Sequence, residues 1–411
     1  MPAGLMTAAA AAQLDVEPDF ARMQRERVAR LREAMAQQRL DAIVLLGNTN
    51  VVYATGATWP LGDPGRANFE QPVAVVLADD EHPHLFTPLP LTDAAGGGLH
   101  LPDDHVHGPV FLDLDEGVTR FDTALGSLVA SGARIGVDEW THAMARHSKL
   151  LFTDGTPPDG GKIVTKSKLL KTPDEVAALR RALAITEVAI ADVQAGIAPG
   201  IRQVELTATF LASVFAAGAD ANSLDPIWQV MPLSMGDGPW TTHGDLAVPL
   251  LTTERELLPG DVLWVDTSVS YLGFHSDFGR TWIVGQEPTA RQRAQFAQWR
   301  EIVDAVLAVT RAGAGYAELT AAAQALAGDR LPWMPHFYLG HGLGIDAAEM
   351  PFVGSDLGPQ FDATHTLQAG QVLVLEPLVW EDGAAGYRAE EVVLVTDDGW
   401  LPLTDYPYDP F

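Results

Sequence analysis

Cysteine is absent from this 411-residue sequence. Disulfides, thiolate metal sites and a cysteine nucleophile are thereby excluded, and the composition fits a cytoplasmic protein. Positive charge is scarce: 26 Lys and Arg stand against 54 Asp and Glu, a formal net charge of −28. Such a surface repels phosphate backbones, so no nucleic-acid partner is expected. Long apolar runs are missing too. None reaches the roughly 18 residues of a membrane span, so no membrane partner is expected either. Ala8 to Ala12 form an apolar run with no basic residue before it. That is a poor secretory signal and reads as a frayed leader.

What remains is a globular composition, 47% hydrophobic and 19% charged. The length exceeds one ordinary core, so two domains are expected. Met23, Val28, Leu31 and Met35 recur at helical spacing and predict a helix over 20–38. Residues 41–46 and 72–78 read as buried strands. Helices and strands alternate to about residue 160, which predicts an α/β domain. Asp103, Asp104 and His105 lie in a proline-flanked stretch and read as a loop, not a ligand set. Asp159-Gly160-Gly161 reads as a linker. Thr172, Pro173 and Glu175 then spell a capping box at a helix start, and a second helix is expected over 204–216.

The second half contains a weak internal repeat. Gly200-Ile-Arg-Gln-Val-Glu205-Leu206 resembles Gly313-Ala-Gly-Tyr-Ala-Glu318-Leu319. Each precedes a β-rich segment carrying two acids. In the first, a hairpin centred between Tyr271 and Leu272 would set Asp266 opposite Asp277. In the second, a hairpin centred on Gly383 would set Glu376 opposite Glu390. Opposed residues share a face, with Cβ atoms about 4.5–5.5 Å apart, and like charges there are destabilising unless a cation or proton intervenes. Four converging acids plus an imidazole suit two divalent ions about 3.5–4 Å apart. The imidazole candidate is His341, in Gly340-His341-Gly342-Leu343-Gly344, where glycines permit close approach. Oxygen-dominated ligation favours Mn2+, with Zn2+, Co2+ or Fe2+ as alternatives.

These segments resemble the pita-bread metallopeptidases: methionine aminopeptidase, aminopeptidase P, prolidase and the non-metal relative creatinase. The resemblance rests on Val265-Asp266, Ser276-Asp277-Phe278-Gly279-Arg280-Thr281, the Gly340 to Gly344 run, Leu375-Glu376-Pro377 and Arg388-Ala389-Glu390. Asn50-Val51-Val52-Tyr53-Ala54-Thr55-Gly56 looks like an N-terminal motif of the prolidase, aminopeptidase P and creatinase branch. The implied fold is α/β (α+β): a creatinase-like N-terminal domain, residues 1–165, then a pita-bread domain, residues 166–411, with an internal pseudo-twofold repeat. The implied metal ligands are Asp266, Asp277, His341, Glu376 and Glu390. Two ions would lower the pKa of an attacking water and polarise a peptide carbonyl. The resemblance makes Glu376 the general base, makes His243 a catalytic, substrate-side histidine, and has Arg388 orient the acidic ligands. It also implies a homodimer.

Three positions depart from the family's pattern. Ala348 stands where a second histidine is usual, seven residues after His341. Phe337 stands where another histidine is usual, with His336 one residue further back. Trp380 stands where tyrosine is usual. His336 is therefore a candidate replacement substrate contact. The expected activity is a dinuclear metal-dependent exopeptidase on short peptides, most like Xaa-Pro dipeptidase or aminopeptidase P. The alternatives are a carboxypeptidase on the same fold, a creatinase-like hydrolase or a metal-dependent lyase.

Overall fold

The computed structural model describes residues 17–58, 72–88, 92–93, 99–153, 155–231, 254–328, 330–333, 337–381 and 383–408. The chain divides into two compact units, Pro18–Lys168 and one that contains Leu169–Phe411. No helix among the described residues is long and apolar enough to cross a membrane.

In the first unit, the periodic apolar residues do form a helix, Phe20–Gln38, capped by the Asp19 side chain accepting from Arg22 N. Its sheet runs in the order Val106–His107, His84–Phe86, Val73–Leu77, Ala42–Leu45, Ile135–Val137. The two central strands are wholly buried, as their unbroken apolar sequences require. Val44, Val75, Phe86, Phe121 and Leu125 share one core. The Asn50 to Gly56 motif is a short helix, Asn48–Thr55, ended by Gly56 at φ +71°. Asn50 Nδ2 donates to Asp138 Oδ2 at 2.9 Å, Lys168 Nζ donates to Asn50 Oδ1 at 2.8 Å, and Tyr53 OH donates to Ser167 O at 2.8 Å. These bonds fasten the short helix to its own unit.

One expectation fails here. Asp159-Gly160-Gly161 is not a linker: a helix begins at Gly160 and runs to Lys168. A Cβ on Gly160 would meet the Val137 carbonyl carbon at 2.9 Å. The glycine serves close packing against a strand, which sequence cannot distinguish from flexibility. Asp103–His105 form one 3-10 turn.

In the second unit, Thr172 caps the helix Pro173–Gln194 through a complete capping box. The helix Gln203–Ala216 follows. Val262–Tyr271 is the central strand of the next sheet, between Ala221–Val230 and a return strand split into Phe274–His275 and Phe278–Ile283. The same plan then repeats. Helices Ala290–Val309 and Tyr316–Ala327 precede a sheet ordered Glu349–Val353, Gly340–Gly342, Val372–Leu375, Glu391–Val395, Trp400–Pro402.

The repeat extends to single hydrogen bonds. Gly200 N donates to Leu257 O and Leu257 N to Ile201 O; Gly313 N donates to Leu367 O and Leu367 N to Ala314 O. Gly200 and Gly313 sit at φ +88° and +84°, and Gly260 and Gly370 at +87° and +89°. Left-handed backbone of this kind favours glycine. Gly260-Asp-Val-Leu263 and Gly370-Gln-Val-Leu373 therefore enter their strands identically.

Strand alternation then decides which way the acids face. Leu263 and Val265 pack with Ile185, Ala189, Leu206 and Phe210 of the first helix pair. Leu373 and Leu375 pack with Ile302, Val306, Leu319 and Ala323 of the second. Asp266 and Glu376, one residue on, point to the face away from the helices.

Candidate metal centre

The first hairpin turns on two residues, Leu272 at φ +55° and Gly273 at φ +80°. Both being left-handed makes the tight turn that matches strand twist. Tyr271 then faces Phe274, Thr267 faces Phe278, and Asp266 faces Gly279. The expected pairing of Asp266 directly with Asp277 is thus wrong: the register lies two residues away. A slip of two preserves the face, whereas a slip of one would invert it. The two aspartates remain diagonal neighbours, and Asp266, Asp277 and Glu390 each offer a carboxylate oxygen within 4.8 Å of the others.

The second hairpin is centred on Gly383. Leu375 pairs with Glu391, and Leu378 with Arg388. Glu376 and Glu390 lie one step past the Leu375–Glu391 pair, where the ladder is interrupted. Their backbones are held from outside instead. Glu376 N donates to Leu339 O at 3.0 Å and Glu390 N donates to Gly279 O at 3.1 Å. Arg280 Nη1 donates to Glu390 O at 2.7 Å, and Thr281 Oγ1 donates to Arg388 O at 2.6 Å. These bonds bind the two hairpins together. Gly279 is required at that junction, since a Cβ there would lie 2.7 Å from Glu390 Oε1.

His341 lies on the strand Gly340–Gly342. Cβ atoms on Gly340 and Gly342 would lie 2.4 Å from Val374 O and 2.2 Å from Met350 O, so both glycines serve close backbone approach. His341 Nδ1 lies 2.8 Å from the Gly342 carbonyl. A carbonyl only accepts, so that nitrogen carries the proton. Nε2 is thereby turned toward Asp277 Oδ2 at 3.0 Å and Glu376 Oε1 at 3.6 Å.

Arg388 is 2% exposed, so it is not a surface charge. Its Nη2 lies 3.1 Å from Asp266 Oδ2, 2.6 Å from Glu376 Oε2 and 3.0 Å from Glu390 Oε1. Its guanidinium carbon stands 5.0 Å from the Trp264 ring centre.

The electrostatics are those of an uncompensated acid nest. Burial, then the charges of Asp266 and Glu376, raise Asp277 well above the carboxylate range. Burial, then Asp277, does the same to Glu390. Burial pushes Glu376 up to about 7, against the opposing pull of Arg388 and His341. Glu376 Oε1 and Glu390 Oε2 are buried with no hydrogen-bond partner among the described residues. One guanidinium and one imidazole do not balance four acids, and buried carboxylate oxygens need partners. Hard cations supply both the charge and the coordination. The donor set, oxygen with one imidazole nitrogen, fits divalent ions of the Mn2+ or Zn2+ kind.

Sequence reasoning missed Tyr338, three residues before His341. Its ring centre lies 4.8 Å from that of His341. Burial, then Glu376, Asp277 and Asp266, push its hydroxyl far above the tyrosine range. Its place between Phe337, which departs from the family's pattern, and His341 was the available signal. Trp264 and Trp380 share an apolar cluster with Met231, Val262 and Leu378, with Phe337 packed against it. Ala348 is exposed. His243 and His336 lie outside the described residues.

The profile of metallopeptidase family M24 matches residues 177–397. The creatinase/prolidase N-terminal domain matches residues 27–156. A Bacillus subtilis protein named as an uncharacterised peptidase is 24% identical over 92% of this chain and 97% of its own length. The dimethylsulfoniopropionate lyase DddP of Roseobacter denitrificans is 26% identical over 97% of this chain and 89% of its own. Among solved structures, the prolidase of Pyrococcus horikoshii superposes with a TM-score of 0.72 at 20% identity, covering 94% of this chain and all of that one. With both domain profiles matched in order and the fold shared, the chain belongs to metallopeptidase family M24, whose divalent-metal chemistry hydrolyses peptide bonds.

Proposed function

We propose that this protein is a dinuclear metal-dependent exopeptidase acting on short peptides, most like Xaa-Pro dipeptidase or aminopeptidase P. The observation that carries the reading is the nest of Asp266, Asp277, Glu376, Glu390 and His341 Nε2, with carboxylate oxygens buried and unpartnered. Those five residues would hold two divalent ions, Mn2+ in the first place, Zn2+ or Co2+ otherwise. Bound ions would supply Lewis acidity to a carbonyl and lower the pKa of water.

The chain's own groups do the rest. Glu376 keeps Oε2 on Arg388, which leaves Oε1 facing the nest as proton acceptor, the role of general base. Arg388 orients Asp266, Glu376 and Glu390 together through one nitrogen. His341 is fixed by its bond to Gly342, so its Nε2 presents a lone pair to an ion. His243 and His336 are assigned to the substrate, donating to the carbonyl oxygen or leaving amine. Phe337, half-buried against the cluster of Trp264 and Trp380, offers apolar surface of the kind a proline ring or an apolar side chain packs on. A homodimer and a cytoplasmic location belong to the same reading; the absence of cysteine suits the second.

A second reading, lyase or other non-peptide chemistry on the same metal set, draws on one position. Ala348 cannot donate the hydrogen bond that a histidine there would give a peptide, and one relative across nearly the full chain is a lyase. A mass-spectrometric time course on Xaa-Pro dipeptides, Xaa-Pro-Xaa tripeptides and longer peptides, with Mn2+ and with chelator, decides between them. Metal-dependent mass loss supports the peptidase, and the end that shortens separates aminopeptidase, dipeptidase and carboxypeptidase. Intact peptides from a protein carrying both ions would sink the peptidase reading.

A further inference from the structure

Four of the 12 histidines gather at one edge of the first unit's sheet. His84 lies on the strand His84–Phe86 and His107 on the edge strand beside it, opposite Phe86. His82 and His105 stand in the segments leading into those strands, and their ring centres are 5.9 Å apart. Asp80 sits in the turn ahead. Asp80, His84 and His105 each offer one ligand atom, and the three atoms lie within 4.8 Å of one another. No residue of this group belongs to the acid nest of the second unit.

We propose that Asp80, His84 and His105 form a second divalent-cation site, for Zn2+ or a metal of similar preference, in the Pro18–Lys168 unit. Asp80 Oδ2 lies 3.1 Å from His105 Nε2 and 3.9 Å from His84 Nε2. The second distance is too long for a hydrogen bond. An ion at about 2.0–2.2 Å from each donor would bridge all three once the donors draw together around it. The His84 and His105 rings are stacked, with centres 4.3 Å apart and planes at 3°. Ligation therefore includes a tilt of these rings that brings both lone pairs to one point.

The outer nitrogens are already engaged. His105 Nδ1 lies 2.9 Å from Asp104 Oδ1. A carboxylate accepts, so Nδ1 carries the proton and Nε2 is the nitrogen left for an ion. His84 Nδ1 lies 3.0 Å from His107 Nε2. A proton on His84 Nδ1 donated to His107 leaves His84 Nε2 free to ligate. A carboxylate or imidazole behind each ligating ring is the arrangement that orients histidine ligands in metal sites.

Access and donor chemistry agree with the geometry. The Asp80 side chain is 31% exposed against 8% for His84 and 13% for His105, which leaves solvent access on the carboxylate side. Two imidazoles and one carboxylate suit Zn2+, Co2+ or Ni2+ better than Mg2+ or Ca2+. The bound ion would tie the turn at Asp80 to the segment 103–107.

The test uses the full chain, stripped with chelator and loaded with Zn2+ at neutral pH, and counts ions per chain by elemental analysis after gel filtration. Asp277→Asn with Glu390→Gln disables the acid nest, and one Zn2+ per chain should remain. His84→Asn and His105→Asn should each weaken that ion by about 100-fold or more, and Asp104→Asn by about 10- to 100-fold. Asp80→Asn, in a partly exposed turn, serves as a ligand variant that keeps the fold, checked by circular dichroism. In the otherwise unaltered chain, the same ligand substitutions should lower the Zn2+ count by one. X-ray absorption on the nest-disabled protein should report imidazole nitrogen. A nest-disabled chain that holds no Zn2+, or Zn2+ held equally by the His84, His105 and Asp80 variants, overturns the proposal.

Discussion

The two acid-bearing hairpins descend from one plan and differ at the positions that matter. In the first, Asp266 faces Gly279, and Asp277 sits two residues before that glycine. In the second, the residue opposite Glu376 is Glu390, and Arg388 sits two residues before it. Register therefore matches Gly279 with Glu390 and Asp277 with Arg388. The Glu390 carboxylate occupies the space that a Cβ on Gly279 would fill. The Asp277 carboxylate and the Arg388 guanidinium both turn into the nest. Exact duplication would have set like against like in a buried space. The divergence places one short acid and one glycine opposite one long acid and one cation, so four carboxylates fit around a common point.

That asymmetry can be broken first at its reactive end. Glu376→Gln should lower kcat/KM by about 100- to 10,000-fold, the range for loss of a general base, with the fold unchanged by circular dichroism. Asp277→Asn should remove at least one ion and cost at least about 100-fold. Elemental analysis reads both variants, because each removes a proposed ligand: Asp277→Asn should lose metal in proportion to activity, and activity lost beyond the metal lost in Glu376→Gln measures its role as base. Normal turnover by Asp277→Asn would show that the first hairpin does not serve the site.

The next effect concerns stability without metal. Arg388 is the guanidinium shared by three buried acids. Arg388→Met should destabilise the chelated protein by about 3–5 kcal/mol, the usual range for breaking a buried charge network. With Mn2+ present the loss should be much smaller, because the ions neutralise the same oxygens. Urea melts with and without Mn2+ measure this, and equal losses in both would mean that Arg388 acts by packing on Trp264. The pH dependence follows from burial raising Glu376 to about 7. A carboxyl whose folded pKa lies above its unfolded value stabilises at low pH, and that contribution disappears as pH rises from 4.5 through 7. The chelated protein should weaken across that window, while the loaded protein should not.

Gly279→Ala probes the contact between the halves directly. The new Cβ would push Glu390 aside, for about 1–3 kcal/mol of overpacking and a drop in metal affinity. At the left-handed glycines of the repeat, Gly200 and Gly313, a Cβ would meet nothing within 4 Å. Alanine at those positions should cost stability through backbone strain alone and leave metal affinity untouched. Isothermal titration with Mn2+ distinguishes them.

Much of this site could be read from the residues, because alternation and parity survive small errors of register. Both hairpin acids of each pair were assigned to a common face, and the second hairpin was centred correctly on Gly383. The first was not, because its turn places Leu272 in a conformation that leucine rarely adopts, so the usual turn chemistry pointed one residue earlier. Gly160 was misread because a glycine required for close packing and a flexible one look alike in sequence. The meeting of His84, His105 and Asp80 depends on strand pairing across 20 and more positions, which no local pattern encodes. Arg388 could be named from the family resemblance, but its burial against three acids belongs to the tertiary structure.

The smallest effect lies at the turn that displaced the register. Leu272 holds φ +55° beside Gly273 at +80°. A left-handed residue with a Cβ costs roughly 1–2 kcal/mol, and asparagine relieves part of that by local hydrogen bonding. The backbone N–H of Leu272 donates to Asp220 Oδ2 at 2.6 Å, and a substitution there retains that bond. Leu272→Asn should therefore stabilise the protein by about 0.5–1 kcal/mol with activity unchanged, read as a shift in the urea midpoint. The second hairpin offers the control, since its turn carries Gly383 at φ +82°. Gly383→Asn should gain nothing there. Stabilisation at 383 but not at 272 would mean that the leucine side chain, not its backbone, holds the first turn, and that the register is set by packing.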